Sequence, residues 1–414
     1  MTENRSVVIV GGGTAAASVA ANLRRAGFAG AVTILSAETQ APYERPPLSK
    51  QVITGDREPA ALRVLPEDWY TENEVELRLG VRARRLDPGA RTVEVGGSAP
   101  VAYTSLVLAT GGSPRTLAVP GVPPERVRYL RSVPDAMALR ERLASGRHLV
   151  IVGAGFIGGE LAASARAVGA EVTMLELLPV PLGRVVGDDV GRRYTELHRA
   201  HGVAVRTGVS VESGRVSGDG LVLTLTDGTA LECDDLVVGI GIVPHDELAR
   251  DAGIACDGGI FVDPFCATSA PDVWAAGDVA RHEHPLFETA LRVEHHDNAL
   301  RQGAAVAANI VGSPVAFADP HWFWSDQYDH RLQGVGLVGR PGLRTVDRGS
   351  LDDLRFTRFY LDGHRLVGAL SMNTGTQIKH VAKLLTARAV VAPDALADPD
   401  VDLKKLVRST AVAL

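Results

Sequence analysis

Cysteine is scarce in this 414-residue chain, with three in all. Cys233, Cys256 and Cys266 form no CxxC pair and are too few for a disulfide framework, so a reducing compartment is the expectation. A basic excess is missing too, since the formal net charge is -6, and this leaves no electrostatic footprint for nucleic acid. Long apolar runs are also absent. The longest stretches, such as residues 236–244, fall far short of the roughly 20 residues that cross a bilayer. Only four consecutive apolar residues precede Gly11, too few for the core of a signal peptide. The reading is a cytoplasmic protein with no membrane span, no nucleic-acid partner and no metal site. What the chain has in quantity is glycine, 44 residues without any collagen-like period, which places the excess in turns and phosphate-approaching loops.

Residues 7–10 form a short β-branched run ending in Gly11-Gly12-Gly13, followed by alanine-rich sequence to Gly27 and a second apolar run at 32–35. This predicts strand, glycine turn, helix, strand. The series returns at 149–152, Gly153-Ala154-Gly155-Phe156-Ile157-Gly158, an alanine-rich stretch to about Val168, and 172–175. An offset of 142 residues between Gly11 and Gly153 implies two separate dinucleotide-binding lobes. In each copy the first glycine permits the tight turn and the second, Gly13 or Gly155, lets backbone approach a pyrophosphate. Ala16 and Gly158 allow close helix–strand packing. A lone GxGxxG also occurs as a plain structural turn, so the repetition carries the inference.

The strand ends separate the two lobes. Glu176 directly follows Leu175, where a carboxylate accepts ribose hydroxyl protons and repels a 2′-phosphate, which favours NADH over NADPH. A solvated strand-end acid is the alternative. In the first copy that position is Ser36, then Ala37, and Glu38 is the nearest carboxylate, a weaker ribose assignment.

Further motifs stand in order along the chain. Tyr43-Glu44-Arg45-Pro46-Pro47-Leu48-Ser49-Lys50 resembles the flavin-contacting segment of the oxygenase-coupled NADH-dependent ferredoxin reductases. Leu108-Ala109-Thr110-Gly111 resembles that family's ATG turn, and Ala276-Gly277-Asp278 its flavin-binding GD turn. Arg292-Val293-Glu294 to Gln302-Gly303 is similar to its helix beside the isoalloxazine, and Phe323-Trp324-Ser325-Asp326-Gln327 to the opening of its C-terminal domain.

The resemblance implies an α/β fold with two Rossmann-like dinucleotide-binding domains of the glutathione-reductase-like type, for FAD and NAD, plus a C-terminal α+β domain. The FAD domain would be discontinuous, 1–112 and 245–320, with the NAD domain at 113–244 and the third domain at 321–414. By position it assigns Asp278 to the flavin ribityl or pyrophosphate oxygens. Thr14, Ala15, Arg45, Ala83, Ala109, Thr110, Gly111, Arg131, Gly277, Glu294 and His296 become other FAD contacts, several through backbone groups. Phe156, Ile157, Glu176, Arg184 and Gly241 fall to the NADH lobe, with a surface arginine an equal reading of Arg184. Lys50 would lie by the flavin N5 edge and Glu160 near the nicotinamide. Alone, Lys50 reads as a solvated lysine; within this motif a cation there stabilises the charge that hydride brings.

Two departures from the family stand out, His296 where many members carry tryptophan and His245 where asparagine is common. The implied activity is hydride transfer from NADH to FAD, then single-electron transfer to an iron–sulfur ferredoxin, or a rubredoxin, by a monomer or weak homodimer. Trp324 is open between a core tryptophan and part of the electron route. Arg331, Arg340, Arg344, Arg348, Arg355, Arg358 and Arg365 are open between a docking face for an acidic partner and an ordinary solvated face.

Three rivals share the two-nucleotide plan. A pyridine nucleotide–disulfide reductase needs a redox cysteine where this chain has Pro42, Tyr43, Glu44 and Arg45. A flavoprotein of the apoptosis-inducing-factor type would use NADH to gate dimerisation, and a disulfide-independent NADH oxidase would deliver electrons to oxygen. NADH turnover is therefore expected to survive iodoacetamide; loss of turnover in step with thiol alkylation would bring the disulfide reductase back.

Overall fold

The protein is described from a computed structural model, which covers residues 5–97, 99–143 and 146–412; the start of the domain expected at 1–112 and the last two residues of the one expected at 321–414 lie outside the described residues. It divides into two compact units.

The first unit comprises Met1–Arg45, Ala60–Ser113 and Val243–His321. At its centre is a five-stranded parallel sheet in the order Val273–Ala275, Ser105–Leu108, Ser6–Val10, Ala31–Leu35, Val75–Arg78. The inner strands read as continuous apolar runs because both faces of such a sheet are covered. Val7 pairs with Val32 on one side and Ser105 on the other, and Ile9 with Ile34 and Val107. The helix Thr14–Arg25 follows the first strand, and four of its seven buried residues are alanine. Small residues let it lie close to the helix His296–Ile310: a Cβ added at Gly303 would sit 2.7 Å from Ser18 Cβ and 2.8 Å from Ala15 O.

The second unit comprises Pro46–Pro59, Pro114–Ile242 and Trp322–Leu414. It repeats the parallel sheet in the order Val203–Thr207, Glu171–Glu176, His148–Val152, Asp235–Val238, Val127–Arg128, with the helix Phe156–Ala167 after the glycine turn. It also holds an antiparallel five-stranded sheet, Trp322–Gln327, His330–Gly336, Arg365–Met372, Arg355–Asp362, Arg344–Ser350.

The grouping differs from the three-domain reading of the sequence in two places. Residues 46–59 pack with the NADH lobe, because the short helix Gln51–Thr54 rests on Phe156–Ala167 and Ser164 Oγ donates to Ser49 O at 2.8 Å. The C-terminal domain joins the same unit through its first strand, Trp322–Gln327, which lies on the helix Phe156–Ala167.

Two of the candidate docking arginines are buried. Arg358 forms paired hydrogen bonds with Asp189 at 2.6 and 2.8 Å and with Asp347 at 2.7 Å, and these carboxylates push its guanidinium pKa up against the opposing effect of burial. Arg348 donates to the carbonyls of Leu396, Ala395 and Val401, closing the end of the helix Pro393–Ala397. The strands Arg355–Asp362 and Arg365–Met372 are themselves buried along most of their length.

Replacing Gly303 with leucine should force the two helices of the first unit apart and cost about 1–3 kcal/mol. Urea denaturation followed by flavin fluorescence measures this; an unchanged midpoint would show that the close approach is not needed.

Candidate functional site

The first glycine turn is built by sterics. Gly11 has φ +129, and a Cβ there would lie 2.0 Å from Ala109 O, so only glycine fits between its strand and the Ala109-Thr110-Gly111 turn. Above Gly13 a Cβ would meet nothing within 4 Å. That open space faces the N-terminus of the helix Thr14–Arg25, which has no side-chain cap and no acid in its first turn, while Arg24 and Arg25 complement its far end. An anion is the natural occupant of such a terminus.

Around this cradle the first unit gathers most of the residues that the sequence assigns to flavin. Ala15 and Ala109 are buried beneath it. Glu38 accepts from Tyr43 Oη at 2.6 Å and from Arg45 Nη2 at 2.5 Å. Burial acts to lower the Arg45 pKa, but Tyr43, Glu38 and Asp278 together hold it above its ordinary value. Thr14 Oγ1 lies 3.4 Å from His296 Nδ1, and burial lowers the His296 pKa against the opposing charges of Glu44, Asp297 and Asp278. His296 thus faces the first glycine turn. Gly277 N–H donates to Gln302 Oε1 at 2.9 Å, which fixes the Gly277-Asp278 turn.

His245 now has a role. Its Nδ1 lies 3.1 Å from the Thr110 carbonyl and its Nε2 2.6 Å from Ser113 Oγ, so the ring donates from Nδ1 and accepts the serine proton, tying down the loop after Gly111. Its backbone also joins that loop, with N–H bonded to Gly111 O and carbonyl to Thr110 Oγ1. Glu294 is at the surface, paired with Arg292 at 2.7 Å, and Ala83 opens the strand Ala83–Asp87.

The second cradle repeats the first with one change. Gly153 has φ +100 with Gly239 O 2.4 Å from its imagined Cβ, Gly155 opens on empty space, and a Cβ on Gly158 would strike Gly153 O at 2.0 Å. At the strand end Glu176 accepts from Ala154 N–H and Leu178 N–H, both at 2.8 Å. Each carboxylate oxygen keeps further acceptor capacity at the lip of the turn. Phe156 packs on Phe323 with ring centroids 5.2 Å apart, Ile157 is exposed, Gly241 has φ +99, and Arg184 is a surface residue. Arg131 also belongs to this unit, where its backbone N–H donates to Asp135 Oδ2 at 3.1 Å.

Glu160 is the most deeply buried acid of the unit that the sequence assigns to chemistry, at 4% exposure. Its Oε2 accepts from Lys50 Nζ at 3.0 Å and Ser49 Oγ at 2.5 Å, and its Oε1 from Ser325 Oγ at 2.8 Å. Lys50 and Glu160, 110 residues apart, therefore meet. Ser49 and Ser325 are site residues that the sequence reading passed over. The signal for Ser325 was present: a polar residue at an inward position of an alternating strand needs a partner.

Burial keeps the thiols in their protonated form. Burial raises the Cys233 pKa to about 12 and also raises those of Cys256 and Cys266, and all three are free cysteines. Trp324 is half-buried on the outward face of its strand, stacked on Trp322 with centroids 5.0 Å apart.

The open space at Gly13, the uncapped helix terminus and the Glu38–Arg45–Asp278 group fit FAD in the first unit. The second cradle with its strand-end acid fits NADH.

Comparison with known proteins agrees. A family model described as pyridine nucleotide-disulphide oxidoreductase matches residues 5–303, and one described as reductase C-terminal matches 322–407. Rhodocoxin reductase of Rhodococcus erythropolis is 36% identical over 404 residues, covering 96% of this chain and 93% of that protein. The ferredoxin–NAD(+) reductase component of the anthranilate 1,2-dioxygenase system of Burkholderia cepacia is 38% identical, covering 96% and 98%. The crystal structure of the covalent putidaredoxin reductase–putidaredoxin complex matches with a TM-score of 0.94 at 35% identity, covering 99% of each chain.

Two buried histidines give the fold a pH dependence. Burial pushes both His282 in the first unit and His198 in the second down to about 4. Unfolding lets each regain an ordinary value near 6.5, so stability is fully present above that pH and declines as pH falls toward 4. The loss should reach on the order of 3 kcal/mol per histidine, read as a falling denaturation midpoint between pH 6.5 and 4. A midpoint flat across that window would contradict the burial argument.

With both cradles, the thiol-free centre and these relatives in hand, the chain belongs to the pyridine nucleotide-disulphide oxidoreductase family, among its NADH-dependent ferredoxin reductases with a reductase C-terminal domain.

Proposed function

We propose that in this FAD-dependent NADH:ferredoxin oxidoreductase the Lys50–Glu160 pair serves the hydride step and that the acceptor is a ferredoxin of an oxygenase system. The observation that carries this reading is the meeting of Lys50, Ser49 and Glu160 on the helix that opens the NADH cradle. Bound FAD supplies a two-electron acceptor that releases electrons singly. The chain's own residues bind, orient and set charge.

Gly155 and the helix terminus take the NADH pyrophosphate, and Glu176 takes the adenosine ribose hydroxyls. In this reading Lys50 supplies the positive charge that reduction calls for, and Glu160 holds its ammonium group through a bond of 3.0 Å. Because no thiol is poised to react, electrons leave without a disulfide stage. The acceptor class follows from the relatives, whose names pair them with ferredoxin, dioxygenase and putidaredoxin. Arg331, Arg340, Arg344 and Arg355 keep their side chains exposed and offer the positive surface that an acidic ferredoxin would meet.

Replacing Lys50 with glutamine keeps a hydrogen bond to Glu160 and removes the charge. Flavin reduction by NADH, followed anaerobically in a stopped-flow as loss of visible absorbance, should slow by about tenfold to a hundredfold. A variant that reduces at the wild-type rate would remove Lys50 from the hydride step.

A further inference from the structure

Glu160 Oε1 terminates a hydrogen-bond chain that hydride transfer by itself does not demand. Ser325 Oγ donates to it at 2.8 Å, Gln327 Nε2 donates to Ser325 Oγ at 3.2 Å, and Gln327 Oε1 lies 3.0 Å from His198 Nε2. Tyr328 Oη closes the series at 2.9 Å from His198 Nδ1. The amide oxygen of Gln327 only accepts, so His198 carries its proton on Nε2. Burial pushes the imidazole down to about 4, which keeps it neutral, and its Nδ1 then accepts from Tyr328. Every donor in the series points toward Glu160.

The packing is made for this series. Ser325, Gln327 and His198 are 0%, 1% and 1% exposed. Gly159, immediately before Glu160, leaves the space that the Gln327 amide fills: a Cβ there would lie 2.8 Å from Gln327 Oε1 and 2.9 Å from Nε2. A strand alternating inward and outward puts Ser325 and Gln327 on one face, so a single strand supplies two consecutive links.

We propose that Ser325, Gln327 and His198 are positioning residues for the hydride step, a one-directional hydrogen-bond chain that holds the Glu160 carboxylate in the orientation that meets Lys50. The proposal rests on the reading of Glu160 given above. It assigns the first strand of the reductase C-terminal domain a part in the NADH reaction.

The test uses the FAD-loaded holoenzyme with Ser325→Ala, Gln327→Met and Gly159→Ala, which break the chain at three separate points. Each is expected to slow flavin reduction at saturating NADH by about tenfold while NAD+ affinity, measured by calorimetry, stays within about twofold. Histidine 15N NMR of the wild-type holoenzyme should show His198 as the neutral Nε2–H tautomer, and Gln327→Met should mix the two tautomers. His198→Gln keeps a donor nitrogen and should retain the rate; His198→Phe should not. Wild-type rates in whichever of the three chain variants fold, or an Nδ1–H tautomer in the wild type, would overturn the proposal. Glu160→Gln distinguishes the levels. If it reduces at the wild-type rate, the reading of Glu160 itself falls; if it is slow while the chain variants are not, only the chain falls.

Discussion

A carboxylate taken out of water costs several kcal/mol unless donors replace its hydration, and in the second unit Asp235 receives three arginines while Glu160 receives donors from two stretches of chain outside its own helix. Its two oxygens receive Ser49, Lys50 and Ser325. These donors come from the segment 46–59 and from the strand Trp322–Gln327, which are distant in sequence from the helix Phe156–Ala167. The same need that satisfies Glu160 therefore helps to bind three stretches of chain into one compact unit.

The two nucleotide cradles share one physical plan and differ at the strand end. In both, a glycine with positive φ turns the chain and an uncapped helix terminus faces open space. In the second, Glu176 is held by backbone N–H groups of its own turn, so the acid is fixed by local structure alone. In the first, Ser36 is buried at the strand end, its hydroxyl bonded to the backbone of Glu38. Glu38 must then be held by Tyr43 and Arg45 from the next segment. A strand end without an acid thus recruits one from the following loop.

Much of this was legible from periodicity and spacing. The runs at 7–10 and 149–152 gave strands because continuous β-branched sequence suits a sheet covered on both faces. The glycine turns were legible because their constraint is steric and local. Arg358 looked solvated because nothing in its neighbours announces that Asp189, 169 residues earlier, will meet it. Arg348 was equally opaque, since its partners are backbone carbonyls, which every residue carries.

The sequence by itself determined the two βαβ units, the thiol-free chemistry and the identity of the acids and cations available, because these depend on residue type and short spacing. Tertiary structure alone decided which of them meet. That Lys50 faces Glu160, that Ser325 and Gln327 link it to His198, and that His245 locks the loop after Gly111 follow from long-range packing. The physical reason is that a buried charge or polar group is satisfied by whichever donor the folded chain brings within 3 Å or so, and no local pattern specifies that partner.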